Sequence, residues 1–196
     1  GAQYRGRRVG GLGSMSCFSF YANKIITTGE GGMVLTSSPE TAARLRSGRN
    51  LAFGTERRFL HTALGHNYRL TNIQAAMGCA QLESLAERIA AKRRIAAAYT
   101  DALKGVPGLA PMREAPWAFS VFWMYTILVD PARFGIGSRA LLEKLEERKI
   151  QTRPLWQPAH RSPAHRGAHV VDGAVAQRLN QAALSQLVLL ASKQAL

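Results

Sequence analysis

Cys17-Phe18-Ser19-Phe20-Tyr21-Ala22-Asn23-Lys24-Ile25-Ile26-Thr27-Thr28-Gly29-Glu30-Gly31-Gly32-Met33-Val34-Leu35-Thr36 is the stretch on which the fold turns. A short apolar run leads to a single lysine, an uncharged Ile-Ile-Thr-Thr segment follows, and a Gly-Glu-Gly-Gly turn opens a second apolar run. The pattern predicts strand, lysine-bearing loop, turn and strand. No carboxylate lies within five residues of Lys24 on either side. Desolvation and a nearby cation both favour a neutral amine, the form that attacks a carbonyl and closes a Schiff base. From spacing alone, a solvated surface lysine in a loop is the competing reading.

Phe18-Ser19-Phe20, Lys24 and Thr28-Gly29-Glu30-Gly31-Gly32 resemble, nearly letter for letter, the lysine segment of the DegT/DnrJ/StrS-type sugar aminotransferases. These are pyridoxal 5'-phosphate (PLP) enzymes that act on nucleotide-linked keto sugars. The resemblance implies that Lys24 holds PLP as a Schiff base and that the Ser19 hydroxyl binds the cofactor phosphate. It also implies an α/β fold, the PLP-dependent aminotransferase fold type I. The C-terminal part of the large, PLP-binding domain with a long linking helix would occupy 1–104, and a small α+β domain 105–196.

Two further segments carry the resemblance. Thr71 with Gln74 three residues on makes a capping-box pattern after Leu64-Gly65-His66-Asn67-Tyr68-Arg69-Leu70, and the alanine-rich sequence beyond it predicts one long helix to about residue 103. In the family the residues before this helix cross a dimer interface, so Asn67 or Arg69 would reach the PLP phosphate of a neighbouring subunit in a homodimer. A guanidinium suits that task, because it grips phosphate oxygens with paired hydrogen bonds. Gln151-Thr152-Arg153-Pro154-Leu155-Trp156-Gln157-Pro158-Ala159-His160 is similar to a segment of members acting at C4 of 4-keto-6-deoxy sugars. There Arg153 would meet the nucleotide diphosphate and His160 the sugar or cofactor pocket. His160, His165 and His169 lie close in sequence, but Pro163 interrupts them and they share no helical face, so no metal site is expected.

The remaining chain is read from local pattern. Gly10, Gly11 and Gly13 do not form a dinucleotide fingerprint, and residues 1–16 show no strand or helix pattern of their own. A helix is predicted over 38–48 from its Ser-Pro start, a loop over 50–64, and a domain connection over 105–118 from its prolines and glycines. Strand, helix and strand follow at 121–129, 138–149 and 150–153, then a helix over 172–184. Beyond it, Ser185 to Ser192 departs from the family pattern by lacking a proline, which puts the family's last helix in doubt.

Composition sets the bounds. The 196 residues are 46% hydrophobic, enough for a core, and contain neither an eighteen-residue apolar run nor a signal-peptide pattern, so a soluble cytoplasmic protein without a membrane partner is expected. Cys17 and Cys79 have no Cys-x-x-Cys spacing and are expected as reduced core residues. Lys and Arg number 26 against 12 Asp and Glu, a net charge of +14. Such an excess suggests a polyanion, but it is scattered, with no basic block longer than three, and a nucleotide sugar's diphosphate accounts for part of it.

The reaction implied is transfer of an amino group, from glutamate, to a nucleotide-linked keto-deoxy sugar, with Lys24 as general base and acid. Dehydratase relatives carry His in place of the lysine, so Lys24 argues against that subclass. The alternative is a catalytically inactive basic scaffold or nucleic-acid-binding remnant of the same fold. The acid that keeps the PLP pyridine nitrogen protonated is expected upstream of Gly1. A chain of this extent is therefore expected to have little activity alone and to be poorly soluble.

Overall fold

The computed structural model describes residues 1–54, 57 and 59–187. Along the chain run β1 (Gln3–Tyr4), β2 (Arg7–Arg8), β3 (Met15–Ser19), β4 (Gly32–Thr36), α1 (Pro39–Arg49), α2 (Asn72–Glu83) and α3 (Leu85–Leu103). They are followed by β5 (Leu109–Pro111), β6 (Ala118–Phe119), β7 (Met124–Val129), α4 (Pro131–Phe134), α5 (Ser138–Glu147) and β8 (Arg153–Pro154). Two 3-10 turns at Ala159–Arg161 and Pro163–His165 lead to α6 (Ala174–Ala182) and β9 (Ala183–Leu187). The chain forms two compact units, Gly1–Ile89 with Ala115–Ser120, and Ala90–Glu114 with the chain from Val121 onward. The expected division after residue 104 falls inside the second unit.

In the first unit β2, β1 and β6 form a small antiparallel sheet, with Gln3 opposite both Arg8 and Phe119. Sequence pattern gave no strand here, because two-residue strands around the Arg5-Gly6 turn are too short to show alternation. The strands on either side of the lysine segment pair as an antiparallel hairpin, from Met15 opposite Thr36 to Ser19 opposite Gly32, as expected. Met15, Phe18, Met33, Val34 and Leu35 of this hairpin are exposed. Cys17 lies on the same hairpin, and it and Cys79 are exposed free thiols rather than core residues.

Helix α1 starts where the Ser-Pro pattern places it. The Ser38 hydroxyl accepts from Thr41 N–H at 3.1 Å, Glu40 sits in the first turn, and Arg46 and Arg49 sit in the last, in keeping with the helix dipole. The single helix expected from Thr71 to residue 103 is instead two, broken at Ser84. The Ser84 hydroxyl donates to Gln81 O at 3.1 Å and accepts from Arg88 Nε at 2.9 Å, a back-bonding serine that interrupts the ladder. The loop expected over 50–64 is tied down in part by bridges of Asn50 to Asn67 and Phe53 to His61.

The second unit is built on an antiparallel sheet in the order β5-β7-β9-β8. Tyr125 and Val129 of β7 are buried, and Tyr125 packs against Ala96, Tyr99 and Leu103 of α3 while its hydroxyl meets Thr100 Oγ1 at 2.9 Å. Arg93 holds Glu114 by two hydrogen bonds of 2.7 and 3.0 Å, and that pairing raises its pKa. The helix expected over 172–184 ends at Ala182. Ala183, Leu184 and Ser185 are instead strand residues, 0–2% exposed between β7 and β8, and Ser185 Oγ lies 2.8 Å from Thr126 Oγ1. Sheet pairing on both edges outweighs the helical propensity of the alanines, a tertiary effect that local pattern does not report. The part of the tail expectation that falls on 188–192 lies outside the described residues.

Lys92, on α3, is 6% exposed, and burial alone pushes its ammonium pKa down. Among the described residues no carboxylate pairs with it. The unfolded chain therefore binds that proton more tightly than the folded one, and stability rises as pH climbs toward the ordinary lysine value. Lys92→Met is expected to stabilise the fold by about 0.5–2 kcal/mol near neutral pH. Thermal melts from neutral to alkaline pH should show the advantage shrinking; an advantage independent of pH would mean that desolvation of the charge is not its source.

Candidate functional site

Residues 20–31 close on themselves through main-chain and hydroxyl hydrogen bonds. Phe20 N–H donates to Gly31 O at 2.9 Å, continuing the hairpin, and Phe20 O accepts from both Thr28 N–H at 3.0 Å and Thr27 Oγ1 at 2.8 Å. Thr28 Oγ1 donates to Glu30 O at 2.7 Å, and Gly29, at φ +79°, turns the chain through the left-handed region where glycine costs least. Inside this ring a tighter turn, Lys24 N–H to Tyr21 O at 3.0 Å, carries the part-buried lysine. The exposed Ser19 hydroxyl, at the end of β3, accepts from Tyr21 N–H at 3.3 Å. Ser19 and Lys24 thus belong to one local structure.

Helix α2 clamps that loop from one face. Gln74, Gly78 and Gln81 are spaced four and three residues apart, so they line up along the helix. The Gln81 carboxamide donates to Thr27 O at 3.0 Å and accepts from Thr27 N–H at 3.1 Å. Gln74, while completing the capping box with Thr71, donates through Nε2 to Glu30 O at 3.0 Å. A Cβ on Gly78 would stand 3.1 Å from Thr28 Cγ2, which is tighter than ordinary contact. Sequence reasoning found Gln74 only as a cap and missed Gln81; the available signal was a pair of carboxamides on one face of a helix otherwise rich in small residues.

Asn67 and Arg69 come together on a second turn of the first unit, with Arg69 Nε donating to Asn67 Oδ1 at 3.3 Å, both residues being exposed. Their backbone is fixed to the end of α1 by His66 N–H to Gly48 O (2.7 Å), Leu51 N–H to His66 O (3.0 Å) and Tyr68 N–H to Arg49 O (3.0 Å). Gly65 permits the approach, since a Cβ there would lie 2.7 Å from Leu51 Cα.

Arg153 and His160 belong to the second unit. Arg153 is exposed on β8, opposite Ser185 of β9. His160 sits in the first 3-10 turn, part-buried, with its Nε2 3.0 Å from the Gln177 carboxamide nitrogen. Asn180, also on α6, donates to Leu155 O at 2.7 Å and Trp156 O at 3.1 Å. Among the described residues no three His, Cys, Asp or Glu side chains gather as metal ligands, and no helix is long and apolar enough to cross a membrane.

The sequence model of the DegT/DnrJ/EryC1/StrS aminotransferase family matches residues 1–191. The GDP-perosamine synthase of Caulobacter vibrioides is 39% identical over 170 residues, 84% of this chain and 44% of that protein. The dTDP-3-amino-3,4,6-trideoxy-alpha-D-glucose transaminase of Streptomyces venezuelae is 34% identical over 177 residues, 89% of this chain and 45% of that protein. The crystal structure of the aminotransferase TlmJ from Streptoalloteichus hindustanus superposes with a TM-score of 0.84 at 29% identity, covering 95% of this chain and 50% of that one. The α/β fold expected from the sequence, that of fold type I aminotransferases, is borne out by this likeness. The chain spans about half the length of the curated relatives it matches.

Replacing Gln81 by Leu leaves the Thr27 peptide without its partners, at a cost of about 1–3 kcal/mol in local stability. Hydrogen exchange across 20–31 is expected to speed up while exchange in β7 and β9 stays unchanged. Equal exchange in parent and variant would show that the clamp does not hold the loop. Gly65→Ala should likewise cost about 1–3 kcal/mol through overpacking against Leu51, read as a lowered denaturation midpoint.

Proposed function

Because the chain belongs to the DegT/DnrJ/EryC1/StrS aminotransferase family, we propose that it is the lysine-bearing part of a PLP-dependent enzyme that moves an amino group, from glutamate, to a nucleotide-linked keto-deoxy sugar. The observation that carries this is the lysine loop: a single part-buried amine on a turn that is closed by its own backbone and clamped to α2. The names of the two relatives, both products or substrates linked to a nucleoside diphosphate, support the substrate class.

The donor set fits the cofactor. A primary amine suits an aldehyde, and a hydroxyl with a guanidinium suits a phosphate ester. In this reading Lys24 is the residue that would hold the cofactor, through Nζ, and it would also move the proton as general base and acid. Ser19 and Arg69 hold the phosphate, and Asn67 orients Arg69 through the bond to its Nε. When bound, PLP supplies an electron sink, while the protein supplies position and charge. Arg153 meets the diphosphate and His160 the sugar. The cofactor site lies on 1–104 and the sugar-facing residues on 105–196, in a cytoplasmic homodimer to which Asn67 and Arg69 contribute across the interface. The acid needed at the pyridine nitrogen is assigned to the part of the relatives that this chain does not span.

Borohydride reduction after incubation with PLP, followed by peptide mapping, tests the reading. A pyridoxyl adduct is expected at Lys24 and is expected to disappear in Lys24→Ala. An adduct formed only when the chain is joined to a segment matching the part of its relatives that it does not span would support the chemistry and show that the site needs both parts. No adduct in either form would overturn the proposal and favour the inactive basic scaffold, for which salt-sensitive binding to nucleic acid is the positive sign.

A further inference from the structure

Helix α6 presents Gly173, Gln177 and Asn180 to residues 155–160. Gly173 ends the approach to the helix, and a Cβ on it would stand 2.7 Å from both Cε1 and Nε2 of the His160 ring, so the imidazole packs directly against glycine backbone. One turn on, the Gln177 Nε2 lies 3.0 Å from His160 Nε2 in a part-buried contact. Three residues further, Asn180 holds the carbonyls of Leu155 and Trp156, which fixes the strand of chain entering the His160 turn. The ring is therefore confined on one side by glycine, addressed at Nε2 by an amide, and carried by a backbone that is itself tethered.

An amide nitrogen can only donate. The ring nitrogen facing it must accept, and in the neutral imidazole the proton then stays on Nδ1. We propose that Gln177 is a positioning residue that fixes His160 as the Nδ1–H tautomer, so that His160 recognises an acceptor oxygen of the sugar, a hydroxyl or carbonyl, by donating a hydrogen bond. This rests on the reading of His160 as sugar-facing. The role deepens that reading by making His160 a recognition donor and not the base of the reaction, a task left to Lys24.

The test uses the full-length protein with 15N-labelled histidine, at about pH 8, where an ordinary imidazole is neutral. Long-range proton–nitrogen correlation distinguishes the tautomers, and the His160 signals are assigned by their loss in His160→Gln. The parent is expected to show Nδ1 protonated. Gln177→Leu is expected to lose that bias, and Gln177→Glu, whose carboxylate only accepts, to move the proton to Nε2. The Glu variant keeps the size of the side chain and serves if the Leu variant does not fold, which circular dichroism reports. Nε2–H in the parent, or an unchanged pattern in the variants, would overturn the proposal. Gln177→Leu should also raise KM for the keto sugar about tenfold with kcat nearly unchanged. If the tautomer shifts as expected while neither Gln177→Leu nor His160→Ala alters KM, the sugar-facing role of His160 is what fails.

Discussion

A peptide group that leaves a strand before a helix begins must still find partners for its N–H and C=O, and at Thr27 one side chain meets both needs. The Gln81 carboxamide, 54 residues away in the chain, accepts from the Thr27 N–H and donates to its carbonyl. A carboxamide is the side chain that can do this, since it carries a donor and an acceptor at the separation a strand neighbour would offer. In effect α2 completes, with one residue, the pairing that β3 and β4 do not extend to the tip of their connection. The geometry of the lysine turn draws on it: without Gln81, the ring from residue 20 to 31 would keep its own main-chain and hydroxyl bonds and the one from Gln74, but the Thr27 peptide would have no partner.

The same device recurs in the second unit, where Gly173, Gln177 and Asn180 repeat the spacing of four and three residues that Gln74, Gly78 and Gln81 show on α2. In both places a glycine permits close approach and two carboxamides reach irregular backbone or an imidazole. The shared logic follows from helix geometry, because residues at these spacings fall on one line and can contact a loop that runs beside the helix. A loop stabilised in this way keeps its polar groups satisfied without becoming a strand, and its side chains stay available for other work.

How much of this was legible beforehand differs by scale. The hairpin around Lys24, the Ser38 cap of α1 and the Thr71 capping box were readable because they are local: alternation, a cap residue and a spacing of three residues suffice. The short strands β1 and β2, the break at Ser84 and the strand at Ala183–Leu187 were not, because each is decided by partners distant in sequence or by a hydroxyl competing for one carbonyl. At the candidate site the motif pointed to Ser19, Lys24, Asn67 and Arg69; the structure bonds Arg69 to Asn67 and links Ser19 and Lys24 each to Tyr21. Gln81 and Gln177 were invisible for a simple reason: a glutamine on a helix carries no pattern of its own until the loop opposite it is known.

The exposed apolar residues of the hairpin sharpen the point about what holds the lysine loop. An isolated two-stranded hairpin is marginal in water, and Met15, Phe18, Met33, Val34 and Leu35 of this one stay partly exposed among the described residues, so apolar burial there is incomplete. The register of five residue pairs and the polar cross-links from α2 add to what that partial burial supplies. Hydrogen bonds fix direction far more closely than apolar contact does, since the latter is non-directional. A lysine loop closed by its own main-chain and hydroxyl bonds and clamped by Gln74 and Gln81 therefore has its backbone specified by directional contacts, which is the condition a reacting amine needs if it is to meet a cofactor in one orientation.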